Sequence, residues 1–554
     1  MNTEKKFSIL NFQFSVRGLF LVMILVIAAV LRLWQLGEYP IHLTNDEAAV
    51  GYNAYSILQT ARDEHGEFLP IVFKSFGDWK PGLYIYATAP SVFLFGLSEF
   101  ATRLPSALFG ILAVYMVYLL VRRLFDERVA IFSAMSLAIM PWHIHFSRGG
   151  WEANLATTLL LVAVWFFVKS FEKQKYIIFS AICFALTLWT YQSAKLASLL
   201  VVLALIAVYR QELFGISKKY LGTAFVAGVI LSVPIVLSMF SGKGGRIEVM
   251  SLFSYERPEE YIQQTILKHE EISRESLVFT LFHSENLNFA RGIAGRYFNY
   301  FSGRFLFFEG DWSSLRHSSP NVGYLLFAQV PIFVYGLFVL FKKKDKQSAF
   351  LLLWLVLSPI PAAITRDSVH GVRALNLTIP LSVVLGFGLY SIVRLTKPVF
   401  WVFLFGVYLY SLVLYLDSYL VHNKFVNAEN YFYGYRETVG KIDEIANDKN
   451  VVFDQSYDQP YIFFLFYQGY DPATFQRNRG FIKGIAGDVG FVGDLDNIEF
   501  RPINWSSDKM LTNSLIVGKP ASFPLEEVRD AQEYNVEAIK YPNGHDAFLI
   551  VEPR

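Results

Sequence analysis

The stretch HLTNDEAAVGYNAYSILQT (42–60) sets two carboxylates, Asp46 and Glu47, side by side. Thr44-Asn45-Asp46-Glu47 fits a capping box, with Thr44 at the N-cap and Glu47 at the third helical position. An acidic first turn also suits the helix dipole. That accounts for Glu47 and leaves Asp46 without a structural duty. Neighbours on a helix point about 100° apart, so the two carboxylates do not share one pocket. Glu47 is therefore assigned to capping, and Asp46 is the group able to accept a proton. Three other stretches carry charge. GDWKPGLYIY (77–86) places Lys80 before Pro81. FSRGGWEAN (146–154) places Arg148 four residues before Glu152. TRDSVHGVRALN (365–376) gathers Arg366, His370 and Arg373. Each has an ordinary reading: a snorkelling lysine, an i,i+4 pair, an interfacial anchor cluster. Together they offer one carboxylate for a proton and several cations for a phosphate, which arginine grips bidentately.

The elements that must position these groups follow from composition. Of 554 residues, 54% are hydrophobic and 17% charged, against about 25% charged in soluble domains. This is the composition of an integral membrane protein. A net charge of +2 gives no sign of nucleic-acid binding, and the single cysteine, Cys183, excludes an intrachain disulfide and a cysteine metal site. A crossing helix needs about 20 apolar residues. Segments near 18–36, 104–121, 129–146, 154–168, 176–191, 196–209, 220–240, 322–341, 347–364, 374–393 and 398–420 qualify, the first as a retained anchor. A further segment, 83–97, is short and broken by Pro90. If it does not cross, alternate connections are all basic, from Lys5, Lys6 and Arg17 through Arg122 and Arg123 to Lys342–Lys344 and Arg394, as the positive-inside rule requires.

The expectation is an α-helical polytopic protein of about eleven crossings, with the N-terminus cytoplasmic and the C-terminus outside. The loops 37–103 and 241–321, the turns 146–154 and 365–373, and the tail 421–554 then share the outer face. The tail reads as a small α+β domain beyond a membrane domain of residues 1–420. A helical pattern runs over 430–449, with strands at 450–454, 497–503 and 514–518, and a turn and strand at 541–552.

At this point the sequence resembles the protein O-mannosyltransferase and lipid A aminoarabinose transferase group, GT-C glycosyltransferases that use polyprenyl-phosphate sugars. The matching features are Asp46-Glu47 after the first span, the Lys80-Pro81 step, RLPSALFGILAVYMVYLLVRRLF (103–125), SRGGWEANL (147–155) and TRDSVHGVRAL (365–375). The resemblance covers roughly 18–420 and rests on the order and spacing of the motifs; it implies a GT-C fold with juxtamembrane helices in the first outer loop. It implies Asp46 as catalytic base, with Lys80 and outer-face arginines on the lipid phosphate. Two positions depart from the family pattern. Ala153 stands where an Asp is frequent, so the second acidic role passes to Glu152, and Gly82 follows Pro81 where a second Pro is common.

The expected reaction is inverting transfer of a sugar from a polyprenyl-phosphate donor to an acceptor hydroxyl on a glycolipid, protein or glycan, at the outer face of the plasma membrane. A phosphate leaves without a general acid, so one base and a set of cations suffice. Asp46 is the base, and Lys80, Arg148, Arg366, His370 and Arg373 are the donor-binding candidates. No cofactor is required: the chain shows no metal-ligand spacing such as HExxH, and a divalent ion bridging Asp46 to the phosphate is disfavoured. The alternatives are a polyprenyl-linked glycan ligase of the same fold, a transporter of a lipid-linked glycan and a non-catalytic polyprenyl-lipid binder. A transporter would carry ionisable residues at mid-membrane, whereas here they gather at one surface.

Overall fold

The computed structural model describes residues 6–9, 12–76, 78–243, 250–267, 273–446, 448–478, 481–482, 490–530 and 533–554. Lys5 and parts of the loop 241–321 lie outside the described residues. The first part of the chain is helical: α1 (Val16–Leu33), α2 (Asn45–Thr60), α3 (Leu83–Phe95), α4 (Glu99–Leu124), α5 (Glu127–Ala138), α6 (Pro141–Arg148), α7 (Glu152–Lys169), α8 (Tyr176–Thr187), α9 (Gln192–Phe214) and α10 (Lys218–Ser238). Later helices include Glu285–Asn299, Val330–Lys343, Lys346–Leu357, Thr378–Leu395 and Pro398–Asp417.

Among the described residues, seven helices are long and apolar enough to cross a bilayer, or eight if α5 and α6, bent by 56°, count as one span. The eleven expected crossings are thus not matched helix for helix. The run 176–191 forms only 12 helical residues and the run 322–341 only 14. Hydropathy measures apolar length, whereas caps and turns decide where a helix stops. The segment 83–97 forms the 13-residue α3, about 20 Å long and too short to span about 30 Å of hydrocarbon.

Close crossings use small residues. A Cβ on Gly386 would meet Ser133 Oγ at 2.1 Å, and one on Gly388 would meet the Ile332 carbonyl at 2.2 Å. The helix Thr378–Leu395 therefore seats deeply against α5 on one side and against Val330–Lys343 on the other.

Among the described residues the strands fall into four sheets. Hairpins pair β1 (Lys6–Ile9) with β2 (Phe12–Ser15) and β3 (Val72–Ser75) with β4 (Asp78–Pro81). In the tail, β5 (Asn450–Phe453) is followed by the short pair β6 (Phe481–Ile482) and β7 (Phe491–Val492), then β8 (Asp494–Leu495), β9 (Ile498–Phe500), β10 (Ser514–Gly518), β11 (Tyr534–Lys540) and β12 (Asp546–Pro553). Six of them form one sheet in the order β11-β12-β10-β5-β9-β8. β10, β5 and β9 run parallel, while β12, β11 and β8 are antiparallel to their neighbours.

The tail's core is an aromatic stack. Tyr435 lies on Phe463 with ring centroids 4.2 Å apart and planes within 16°, and Phe453 meets Phe464 edge-on. Phe463, Phe464 and Leu465 are fully buried, and each such side chain contributes about 1.5–3 kcal/mol. The same apolar cluster contains Leu43, Ala48, Ala49 and Tyr52. The tail and the first turns of α2 therefore share one core, which fixes the tail against the segment that carries Asp46.

Candidate active site

The first turn of α2 is built as its sequence dictates. Thr44 Oγ1 accepts from the Glu47 amide at 3.2 Å, and the Glu47 carboxylate accepts from the Thr44 amide at 2.9 Å. Glu47 does more than cap. Its Oε1 also accepts from Arg103 Nε at 3.0 Å and from the Gly150 amide at 2.8 Å. A Cβ on Gly150 would approach Glu47 Cγ to 3.1 Å, so the glycine lets the SRGG turn close on the carboxylate. Arg103, fully buried, donates further to the carbonyls of Leu36, Pro40 and His42. Glu47 and Arg103 thereby lock the chain from α1 into α2. Sequence reasoning gave Arg103 no role, because nothing in its neighbourhood marks a side chain that bonds backbone some sixty residues away.

Asp46 faces another way. Its carboxylate receives the Lys80 ammonium in a close ion pair. Lys80 sits on β4, across the hairpin from Phe73, and lies over the Phe76 ring with Nζ 5.1 Å from the centroid. Burial opposes its charge, but Asp46 first, then Glu152 and Asp78, outweigh burial and raise its pKa above the ordinary lysine value. Glu152, at the N-terminus of α7, lies within electrostatic reach of Lys80, Asp46 and Glu47. Tyr191, just before α9, lies in the same field as Arg373, Glu152 and Asp46. The structure therefore gathers Asp46, Lys80, Glu152 and Arg373 in one place from four distant parts of the sequence.

Arg373 is held by Asp367 at 2.5 Å and by Thr365 Oγ1 at 2.7 Å. It lines a small cavity with Tyr191, Ala153, Ala156, Ser198 and Asn376. Ser198 also borders a second cavity of about 710 Å³ between α8, α9 and α10, lined by Phe184, Leu199, Phe225, Ile235 and other apolar side chains, with Lys195 among them. Lys195 Nζ donates to Gln192 Oε1 at 2.6 Å, and Gln192 Nε2 donates to the Trp79 carbonyl at 3.1 Å. The apolar cavity is thus tied to the strand that carries Lys80.

Two of the expected cations are not in this group. Arg148 is 2% exposed. Its guanidinium donates to the carbonyls of Leu31 (3.0 Å), Trp34 (2.8 Å), Gln35 (3.4 Å) and Tyr39 (3.2 Å). It closes the C-terminal end of α1, where free carbonyls attract a cation. The expectation that it grips a phosphate is corrected: its Nη donors already serve backbone. Arg366 is exposed and donates to the Tyr255 hydroxyl at 2.7 Å. Tyr255 belongs to the segment 250–267, so Arg366 is engaged with that part of the outer loop.

His370 packs on His317 with ring centroids 4.8 Å apart. Its ring is held well below the ordinary histidine pKa by burial and by Arg373 and His317. His317, 3% exposed, bonds through Nδ1 to Asp311 Oδ2 at 2.8 Å. Ligand atoms of Asp311, His317 and His370 lie within 4.8 Å of one another. A divalent ion would need the Asp311 carboxylate, yet Oδ2 also accepts from the Gly371 amide and Oδ1 from the amides of Ser313 and Ser314. Arg373 and Arg316 add positive charge to His370. These groups fit an orienting role for Asp311, and a positive field suited to an anion. Arg316 is a second residue that sequence reasoning passed over, as one arginine in a polar loop. It is half-buried, and its guanidinium makes no hydrogen bond or ion pair among the described residues.

The model of the dolichyl-phosphate-mannose-protein mannosyltransferase family matches residues 80–237, beginning at Lys80. No curated protein matches the chain in sequence. Among solved structures, ArnT from Cupriavidus metallidurans bound to undecaprenyl phosphate superposes with a TM-score of 0.54 at 14% identity, covering 96% of this chain and 97% of that one. The same protein in the apo state gives 0.55 at 14% identity, with 96% of each chain covered. At that identity the likeness is one of fold, and it runs the length of both chains. Residues 80–237 are thus similar to that mannosyltransferase family, and the whole chain, with its apolar helices of membrane-crossing length, shares the fold of ArnT.

Proposed function

We propose that this chain is an inverting glycosyltransferase that moves a sugar from a polyprenyl phosphate to an acceptor hydroxyl at the extracytoplasmic face of the plasma membrane. The observation that carries the reading is the Asp46–Lys80 ion pair, beside Glu152 and Arg373, at a site tied to an apolar cavity of about 710 Å³. A phosphate and an isoprenoid tail need that combination: cations for the head, an apolar volume for the tail. ArnT, which shares the fold, is bound to undecaprenyl phosphate. The positive-inside pattern supports placing the site outside and the N-terminus inside.

The chemistry needs few groups. The acceptor oxygen forms a bond to the anomeric carbon as the bond from that carbon to the phosphate oxygen breaks, which inverts the centre. The acceptor proton goes to Asp46. The charge that develops on the phosphate is met by Lys80, Arg373 and Arg316. Lys80 has two partners in this scheme. Before the donor arrives it pairs with Asp46; the donor phosphate then competes for the ammonium and releases the carboxylate to accept the proton.

A ligase using a polyprenyl diphosphate would need cations for a second phosphate, and a transporter would need charge along the spans. The gathering of Asp46, Lys80, Glu152 and Arg373 in one place favours surface chemistry on a monophosphate. The test is mass spectrometry of surface glycolipids, glycans and glycoproteins from cells with the chain, without it, and with Asp46→Asn. Loss of one sugar from one class of molecule in the last two is the expected result. An unchanged profile in cells lacking the chain overturns the reading.

A further inference from the structure

We infer that the tail domain supplies the acceptor side of the site, and that Asp458 is the residue that positions the acceptor. This rests on the glycosyl-transfer reading and extends it to a part of the chain that no family match reaches.

The tail's sheet has a parallel centre, β10-β5-β9. The chain leaves β5 toward β9 on one side, then crosses to β10 on the other. Neighbouring parallel strands whose connections depart in opposite directions open a crevice at their C-terminal ends, where α/β sheets bind ligands. That crevice is formed by the turn after β5 and the segment after β10. The turn is rigid. Asp454 accepts from the Ser456 amide at 3.1 Å and from the hydroxyls of Ser456 and Ser522. Lys519 covers the Tyr457 ring at 4.4 Å. Tyr457 in turn stacks on Tyr435, and Tyr435 on Phe463, so the turn is anchored in the core.

At the tip of this turn stands Asp458, in a left-handed conformation with φ 64°. It is solvent-accessible and points to the membrane part of the protein. Asn45 Nδ2 donates to Asp458 Oδ1 at 2.9 Å, while Asn45 Oδ1 accepts from the Asp46 amide at 2.8 Å. One asparagine therefore links the proposed base to a carboxylate more than four hundred residues away. Asp458 also lies within electrostatic reach of Asp46, Arg316 and Lys80.

Nothing in the domain's own stability requires a carboxylate here. The turn is held by Asp454 and the aromatic stack, and the Asn45 bond needs only an acceptor oxygen. What an exposed carboxylate beside the base adds is an acceptor for O–H or N–H groups. Asp458 and Asp46 then stand as neighbouring carboxylates, with Arg316 and Lys80 also within electrostatic reach. Two carboxylates side by side disfavour an acceptor that is anionic near its reacting hydroxyl. They fit a neutral polyol, such as a glycan or a glycolipid headgroup, whose hydroxyl next to the reacting one donates to Asp458.

The experiment compares Asp458→Asn, Asp458→Gly and Asp458→Glu in the full chain. Asparagine keeps the acceptor oxygen for Asn45, and glycine relieves the left-handed backbone, so neither is expected to harm folding. Purified variants are assayed for undecaprenyl phosphate affinity and thermal midpoint. Cells lacking the chain and complemented with each variant are assayed for the sugar-bearing product that depends on it. The expected result for Asn and Gly is affinity within about twofold of the parent and product reduced about 10–100-fold, the scale of one charge-assisted hydrogen bond, with Glu restoring part of it. Product unchanged in Asp458→Asn and Asp458→Gly overturns the inference, as does undecaprenyl phosphate affinity falling in step with product. If Asp46→Asn or removal of the chain leaves every product intact, the glycosyl-transfer reading fails first and this inference falls with it.

Discussion

The first turn of α2 carries two carboxylate–cation pairs that differ in almost everything but their chemistry. Glu47 and Arg103 are 3% and 0% exposed, and each makes further hydrogen bonds to backbone. Asp46 and Lys80 are 39% and 20% exposed. The Lys80 ammonium has no backbone bond among those found in the described residues. A dry pair surrounded by fixed donors has one geometry and resists exchange. A half-open pair can exchange one partner for an incoming phosphate at small cost, since an exposed pair contributes only about 0–1 kcal/mol. Adjacent residues thus divide a fixed structural pair from one open enough for the proposed chemistry, and burial makes the division.

The sharpest way to break that comparison is to remove the charge from each acid. Asp46→Asn is expected to lower product formation by about 10²–10⁴-fold, the range for a general base, while thermal midpoint and undecaprenyl phosphate binding stay near the parent; turnover near the parent value would remove Asp46 from the chemistry. The counterpart on the dry side is Arg103→Ala. It strands Glu47 in a buried site and is expected to cost about 3–5 kcal/mol of stability, read as a collapse in yield and midpoint. A midpoint close to the parent would mean that the pair does not hold the entry to α2.

Lys80→Ala comes next. It removes one charge-assisted contact to phosphate, and undecaprenyl phosphate affinity is expected to fall about 10–100-fold with little change in midpoint. Affinity unchanged in this variant would move the phosphate site elsewhere.

The smallest expected effect concerns the joint between the two parts of the molecule. His42 Nδ1 donates to the Leu43 carbonyl at 2.8 Å, so its Nε2 accepts from the Arg436 amide at 3.2 Å. Protonation would set an N–H against an N–H. Burial lowers the His42 pKa from 6.5 to about 4. The unfolded chain therefore binds the proton more readily, and the stability this imidazole contributes is present above about pH 6.5 and lost as pH falls toward 4. Unfolding followed from pH 7 to pH 5 is expected to show a loss of roughly 1–2 kcal/mol from this group, and His42→Gln is expected to flatten that slope. An identical slope in the variant would show that the joint does not sense acid.

Much of this was legible before any coordinates. The capping box named Glu47 from four consecutive residues, because an N-cap is a local matter of backbone donors and one side chain. Asp46 followed by elimination. The strand SLIVG over 514–518 coincides with β10, and 450–454 contains β5. The shortness of 83–97 was also visible. The arginines were not. Arg148, Arg366 and Arg373 look alike in sequence: each is a cation near the end of an apolar segment. One closes a helix end, one turns to a tyrosine, and one lines a cavity beside Lys80. The residues passed over, Arg103 and Arg316, lie in unremarkable surroundings, and their partners are far away in the chain.

The sequence by itself determined the membrane class, the helical part and the capping role of Glu47, and it singled out Asp46 as the acid left for the proposed chemistry. These depend on composition and on contacts within a few residues, which the order of amino acids specifies directly. Only the tertiary structure decided which cations stand beside that acid, that an apolar cavity adjoins them, and that the tail sends Asp458 to the same place. The energy of a charge depends on its distance to other charges and on the water around it, and folding alone sets both.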